Sequence, residues 1–196
     1  MPEILDSIKG RKFGLGHRNE ILANWADGGP VPADIVAYTN VAASAAVSNT
    51  TTETLFDKYC TIPANSLRPG SLIKVRYQGI ATATNSTDTL AVKLYIGGLT
   101  GTVLLSHAAT DVADNNVFQG EYELIVRTVG AAGTIVGCGT CKSIPAAEGT
   151  ATYRDDILAS TAIDTTTSNV VGVSATWSVA SASNSCRLDF IRVSVA

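Results

Sequence analysis

The stretch from Leu72 to Ala83 reads LIKVRYQGIATA. Leu72, Lys74, Arg76 and Gln78 alternate with Ile73, Val75, Tyr77 and Gly79. An extended chain sends successive side chains to opposite faces, so this stretch has one polar and one apolar face, the pattern of a half-buried strand. The next segment, TLAVKLYIGG, repeats the period, with Leu90, Val92, Leu94 and Ile96 inward and Lys93 and Tyr95 outward. Between them TNSTD reads as a turn, as does PANSLRPGS before Leu72.

Working outward, TETLFDKYCTI reads as one strand, with Leu55, Asp57 and Tyr59 on one face and Phe56, Lys58 and Cys60 on the other. TVLLS, NVFQGEYELIVRTVG, GTIVGCGTC, GTATY, NVVGVSATWSVAS and SCRLDFIRVSVA complete the strand set. That makes about eight to ten strands with turn-rich loops, and no stretch of ten residues here has helical period. The expected fold is all-β: an antiparallel jelly-roll sandwich over residues 41–196, preceded by an extended N-terminal arm over 1–40. Asn40 to Thr52, small and polar, reads as a linker or a loosely packed first strand. No repeat of propeller or solenoid length is visible.

The arm is different in kind. Lys9, Arg11, Lys12 and Arg18 fall within ten residues that hold no acid, and Gly10, Gly14 and Gly16 make a regular helix costly there. DGGPVP (Asp27 to Pro32) reads as a hinge. An arm without its own core must bury Phe13, Leu15, Ile21, Leu22 and Trp25 against something else.

Composition narrows the functional classes. Charged residues make up 16% of the 196, against roughly 25% in ordinary soluble domains. Such a polar, uncharged surface suits a β protein packed beside other copies better than an enzyme cleft. A net charge of −3 argues against a general nucleic-acid binder. The longest uncharged run, between Asp164 and Arg187, is crowded with Ser, Thr and Asn, so no membrane span is expected. MPEILDSIKGRK has no apolar stretch of the kind a secretory leader carries. Synthesis in a reducing cytoplasm is therefore expected, with the four cysteines as thiols.

Candidate chemistry is sparse. Cys138 and Cys141 form C-x-x-C, a spacing shared by zinc sites and thiol–disulfide sites. Zinc needs four converging ligands, and Cys60 and Cys186 would have to come from distant strands. A redox site wants a helix N-terminus at the first Cys, and nothing after Cys138 looks helical. The expectation is small apolar filling in a core, with Gly139 easing a bend or bulge; metal or a disulfide returns if both sulfurs face one point. His17 and His107 have no nucleophile motif beside them, and His107 reads as a loop residue. Glu121 with Glu123, and Asp155 with Asp156, read as solvated strand faces rather than paired catalytic carboxylates. Asp111, Asp114, Asn115 and Asn116 suit either calcium or an ordinary turn. No catalytic residue, metal ligand or cofactor is assigned.

The stretch Glu53 to Gly98 resembles a recurrent β domain of tailed-phage virion proteins. Its marks are TIPANSL.PG..I.V...G, then TNSTDTL..KLYIGG, and a late R.DF..V.V strand, here Arg187 to Val195. The resemblance spans the β region and implies a trimeric jelly roll of the kind found in capsid decoration (cement) proteins, head fibres and tail fibres. It supplies no catalytic residues. The expectation is a non-enzymatic virion protein on the capsid surface, a homotrimer bound to the major capsid protein and to neither nucleic acid nor membrane. The arm would make the contact, with Lys9, Arg11, Lys12 and Arg18 toward acidic capsid surface and Phe13, Leu15, Leu22 and Trp25 as apolar anchors. The alternative is a receptor-binding head-fibre or tail-fibre domain, for which Tyr153 is the main loop aromatic.

Overall fold

The computed structural model describes residues 36–84, 87–112, 115–144 and 151–196. Within them thirteen strands form two antiparallel sheets. In chain order they are β1 (Val36–Thr39), β2 (Val47–Ser48), β3 (Thr54–Leu55), β4 (Cys60–Ile62), β5 (Leu72–Thr82), β6 (Thr89–Ile96), β7 (Thr102–Ser106), β8 (Thr110–Asp111), β9 (Asn116–Thr128), β10 (Gly133–Ile144), β11 (Thr152–Ile163), β12 (Asn169–Trp177) and β13 (Ser185–Val195).

One sheet runs β1-β13-β5-β9-β10-β11, with β2 also on β13. The other runs β3-β12-β6-β7, with β4 on β12 and β8 on β6. Successive strands are dealt between the sheets, so that β1-β13-β5-β9 opposes β3-β12-β6-β7. That is the eight-stranded jelly-roll order of two interleaved Greek keys. The β10–β11 hairpin is an addition, extending the larger sheet beyond β9.

The alternation of LIKVRYQGIATA holds, since Ile73, Val75, Tyr77 and Gly79 are inward on β5 and Lys74 and Arg76 outward. The turn before it closes as the sequence suggests. Ser71 N–H donates to the Arg68 carbonyl, and Gly70, after Pro69, takes φ 90, the left-handed position that a type II turn assigns to glycine. On β6, Leu90, Val92, Leu94 and Ile96 are buried, and Tyr95 faces outward yet is also buried. Its hydroxyl donates to Glu53 Oε1, which Ser174 also reaches, while Lys93 Nζ lies 3.1 Å from Oε2.

Two expectations need correction. TETLFDKYCTI is two short strands, β3 and β4, because the chain bends between them to bury both Phe56 and Cys60. Of GTATY only Thr152 and Tyr153 belong to β11, which continues to Ile163; 149 and 150 lie outside the described residues. Asn40 to Thr52 is loosely packed, as one of its two readings has it: Ser44 and Val47 are buried and β2 pairs with β13, but most of the segment is exposed. β1, ahead of residue 41, also pairs with β13.

The core lies between the sheets. Trp177, Phe56, Leu105 and Leu188 are almost fully buried there. Trp177 Nε1 donates across the sandwich to the Val47 carbonyl, and Phe56 stacks on Phe118 at 6.2 Å. On the inner face of the larger sheet, three cross-strand pairs set a glycine opposite an aromatic: Gly79 and Phe118, Gly120 and Tyr77, Gly139 and Tyr122. A Cβ at any of these glycines would collide with the facing ring. The rings lie flat over bare backbone, which keeps the layer thin enough for the second sheet to close on it.

Candidate functional site

Two arrangements of polar side chains stand out among the described residues. The first is buried. His107 follows β7 and turns into the sandwich, its N–H held by the Val92 carbonyl at 2.8 Å. Its ring is 5% exposed, and Nε2 lies 2.8 Å from the hydroxyl of fully buried Tyr77. Phe118 meets the ring edge-on at 6.4 Å. Burial lowers the His107 pKa to about 4, opposed in part by the charge of Asp156. The imidazole is therefore neutral at pH 7 and fully engaged with Tyr77, which ties β5 of one sheet to the β7 end of the other. Asp156 on β11 adds a second tie, accepting a hydrogen bond from Ser106 N–H at 3.1 Å.

Near this pair Cys141 is buried, and burial pushes its pKa up to about 11. A thiol in that state is a poor nucleophile. The Tyr122 hydroxyl is buried without a well-formed hydrogen bond, and burial raises its pKa to about 12. The cluster is a set of neutral groups that joins the two sheets.

The second arrangement is the outer face of the larger sheet. A shallow groove of about 510 Å³ lies over it. Its floor is a grid of cross-strand neighbours. One row runs Arg192, Arg76, Glu121, Thr140, Asp155, and the next runs Ser194, Lys74, Glu123, Cys138, Ile157. Arg76 pairs with Glu121 at 3.0 Å and Lys74 with Glu123 at 3.2 Å. Cations thus occupy β13 and β5, while acids occupy β9 and β11. All four paired side chains are well exposed, so each pair is screened by water.

The structure separates the sequence candidates. Cys138 is exposed and Cys141 buried, so the C-x-x-C sulfurs face opposite sides of β10 and all four cysteines are free. Core filling describes Cys60, Cys141 and Cys186 but not Cys138. The β10–β11 register shifts between Ile135 and Gly137, with the extra residue on β11, and not at Gly139, whose bare Cα makes room for Tyr122. Glu121 and Glu123 do share a face, in ion pairs, whereas Asp155 and Asp156 point to opposite faces of β11. Tyr153 is a strand residue, not a loop one. In the Asp111–Asn116 stretch, Asn116 is buried and its side-chain amide donates to the Asp111 carbonyl; Asp114 lies outside the described residues. No three His, Cys, Asp or Glu side chains converge on a metal-sized site among the described residues.

The expected capsid-contact residues Lys9, Arg11, Lys12, Phe13, Leu15, Arg18, Leu22 and Trp25, and the hinge at 27–32, lie outside the described residues. What the sequence reading missed is His107. Only its place directly after the apolar TVLLS hinted at burial.

The chain matches no protein-family model and no curated protein sequence. Solved structures give loose likenesses. One is infectious bursal disease virus, Gx strain, at 12% identity and TM-score 0.38, covering 85% of this chain and 37% of that one. The chain therefore spans well under half the length of that viral chain. Winged bean acidic lectin, complexed with methyl-alpha-D-galactose, gives 12% identity and TM-score 0.35 over 85% of this chain and 95% of that one. The CBM2 module of the Lactobacillus casei BL23 phage J-1 evolved Dit gives 12% identity and TM-score 0.33 over 87% and 84%.

Proposed function

We propose that this chain is a virion structural protein of a tailed phage, a capsid decoration protein that binds the outer surface of the head as a homotrimer and stabilises it. It is made in the host bacterial cytoplasm, needs no cofactor and carries out no catalysis. Its partners are the major capsid protein and copies of itself. The observation that carries the reading is the jelly-roll order of β1-β13-β5-β9 against β3-β12-β6-β7, with the phage-like motifs of Glu53 to Gly98 running through β4, β5 and β6. Jelly rolls are common in viral capsid and lectin domains. The neutral, hydrogen-bonded state of His107 and the raised pKa of Cys141 favour a scaffold over an enzyme.

In this reading the segment from Lys9 to Trp25 grips the shell, its cations on acidic capsid surface and its apolar residues as anchors. Many symmetric copies then multiply a weak contact through avidity, and binding only the assembled shell stabilises it by mass action. Deleting residues 1–30 is expected to abolish shell binding and leave a folded trimer. A truncated protein that still decorates shells overturns the reading of the arm. Imaging of particles tests the location: density only at the tail favours the alternative, a receptor-binding fibre domain, for which exposed Tyr153 speaks.

A further inference from the structure

Strand β11 ends the larger sheet and, among the described residues, has β10 as its one strand partner. Its second edge leaves a row of backbone donors and acceptors without strand partners. A free edge of this length is a template for another chain unless it is blunted. Its last part is blunted, because the β10–β11 register shifts at Ile135/Gly137 and puts a bulge in the strand after Leu158. The stretch from Thr152 to Leu158, by contrast, pairs without a break from Ser143 to Gly137. It presents Ile157 at 85% exposure and Tyr153 at 71%, large apolar side chains that nothing in the described residues covers.

We propose that this edge is a self-association surface, at which β11 of one copy pairs antiparallel with β11 of a second copy about a two-fold axis at Asp155. The regular stretch has Asp155 at its middle, so this register uses all of it. Residues opposite each other in an antiparallel pair share a face. Tyr153 then meets Ile157 of the second copy on the outer face, twice over. On the inner face Arg154 meets Asp156 of the second copy, also twice. Arg154 already holds its own Asp156 at 3.0 Å, so the contact builds a four-charge ladder. Neighbouring registers are worse. Centring on Arg154 sets Arg154 against Arg154, and centring on Asp156 sets Asp156 against Asp156 and Asp155 against Ile157.

The favoured register carries one defect, Asp155 opposite Asp155. That defect and the short contact make the pairing weak, below the area of a standard interface. It is isologous, so it closes at two copies and cannot run on into a fibre. The pairing does not depend on shell binding. In a trimeric protein the same edge would join trimers in pairs.

The test uses the full chain in solution, with Cys138→Ser removing the exposed thiol. Asp155→Cys is expected to form an inter-chain disulfide under mild oxidation, because only position 155 faces itself. Tyr153→Cys and Ile157→Cys, each alone, are expected to cross-link far more slowly. Sedimentation velocity over about 10 µM to 1 mM is expected to show Asp155→Asn associating about threefold more tightly than wild type, since like charges directly opposite are removed. Circular dichroism establishes that each variant is folded. Failure of folded Asp155→Cys to cross-link overturns the proposal, as does equal cross-linking at 153, or an Asp155→Asn variant that associates no better. If the Asp155→Cys variant on assembled particles cross-links to a different chain, with no bond between copies, the proposal is overturned in favour of a shell-protein strand.

Discussion

The eight jelly-roll strands and the appended β10–β11 hairpin are built from similar residues but held by different forces. On β5 every second side chain is driven into the core, and strands pair on both sides. On β11 Tyr153, Arg154, Asp155 and Ile157 are all exposed, and one edge has no strand partner among the described residues. A strand buried on one face and paired on both sides has its register fixed by every residue, because a slip of one would turn the apolar set outward. A strand at the edge relies on its single neighbour, a bulge and a few polar ties. Asp156 to Ser106 N–H is such a tie, joining the hairpin to the smaller sheet.

Truncation breaks the comparison hardest. Leu105→Ala removes a side chain with no exposed surface and is expected to cost about 2–5 kcal/mol of unfolding free energy in urea denaturation. Ile157→Ala, at 85% exposure, is expected to change the stability of the dilute protein by less than about 0.5 kcal/mol. Comparable losses would mean that the hairpin is part of the cooperative core.

Acid should come next. His107 binds its proton at about pH 4 in the folded chain, because burial opposes the charge, and near 6.5 when unfolded. Its folded pKa is the lower one, so the unfolded state takes up protons first. Stability is then full above about pH 6.5 and falls as the pH drops toward 4, by up to about 3 kcal/mol. The groups facing the ring are Tyr77 on β5, which stays protonated throughout, and Asp156 on β11, whose charge favours His107 protonation. Unfolding free energies measured from pH 7 to 4.5 should show this slope in wild type and lose most of it in His107→Gln. An unchanged slope in the variant would assign the loss to groups other than His107. Burial alone would raise the Glu53 pKa, but hydrogen bonds from Ser174, Tyr95 and Lys93 hold it below the ordinary value. Its contribution is therefore intact through most of the His107 window and is lost only as the pH falls below its ordinary value of about 4.5.

The two regions also differ in how legible they were. β5, β6, β9, β12 and β13 could be read directly, because a buried face writes period two into the chain. β11 has no buried side chain before Ile163, so nothing in TYRDDILASTAI announced a strand beyond Tyr153. The break between β3 and β4 was hidden because Phe56 and Cys60 have the parity of one strand face. His107 was illegible for another reason. Its partner Tyr77 is thirty residues away on the opposite sheet, and only the sandwich brings them together. The C-x-x-C spacing was ambiguous until β10 was seen to run straight through it. The proposed contact segment before Val36 rests on composition and resemblance alone.

The hairpin is not uniformly loose, and Gly139 sharpens that point. Gly139→Ala puts a Cβ against the Tyr122 ring and the Glu121 carbonyl, and is expected to cost about 1–3 kcal/mol. Thr140→Ala, one residue on and facing water, is expected to be close to neutral in the same denaturation experiment. A neutral Gly139→Ala would mean that Tyr122 is free to move aside and that β10 belongs with β11 rather than with the core.

The smallest effect lies on the outer face that both regions share. Lys74–Glu123 and Arg76–Glu121 join β5 of the jelly roll to β9, beside the hairpin, through side chains that are more than half exposed. Such pairs exchange water for each other at nearly equal free energy, so a double-mutant cycle on Lys74 and Glu123 should give a coupling of at most about 0.5 kcal/mol, fading in high salt. Lys93–Glu53 is the internal control. It lies on the smaller sheet, is about half as exposed, and its carboxylate is also held by Tyr95 and Ser174. Its coupling should be the larger of the two and less sensitive to salt. If Lys74–Glu123 proved as strong and as salt-resistant, water would have to be kept from that groove in solution. A second molecule covering the outer face would then be required, and the exposed rim of the sheet would have to be counted as interior.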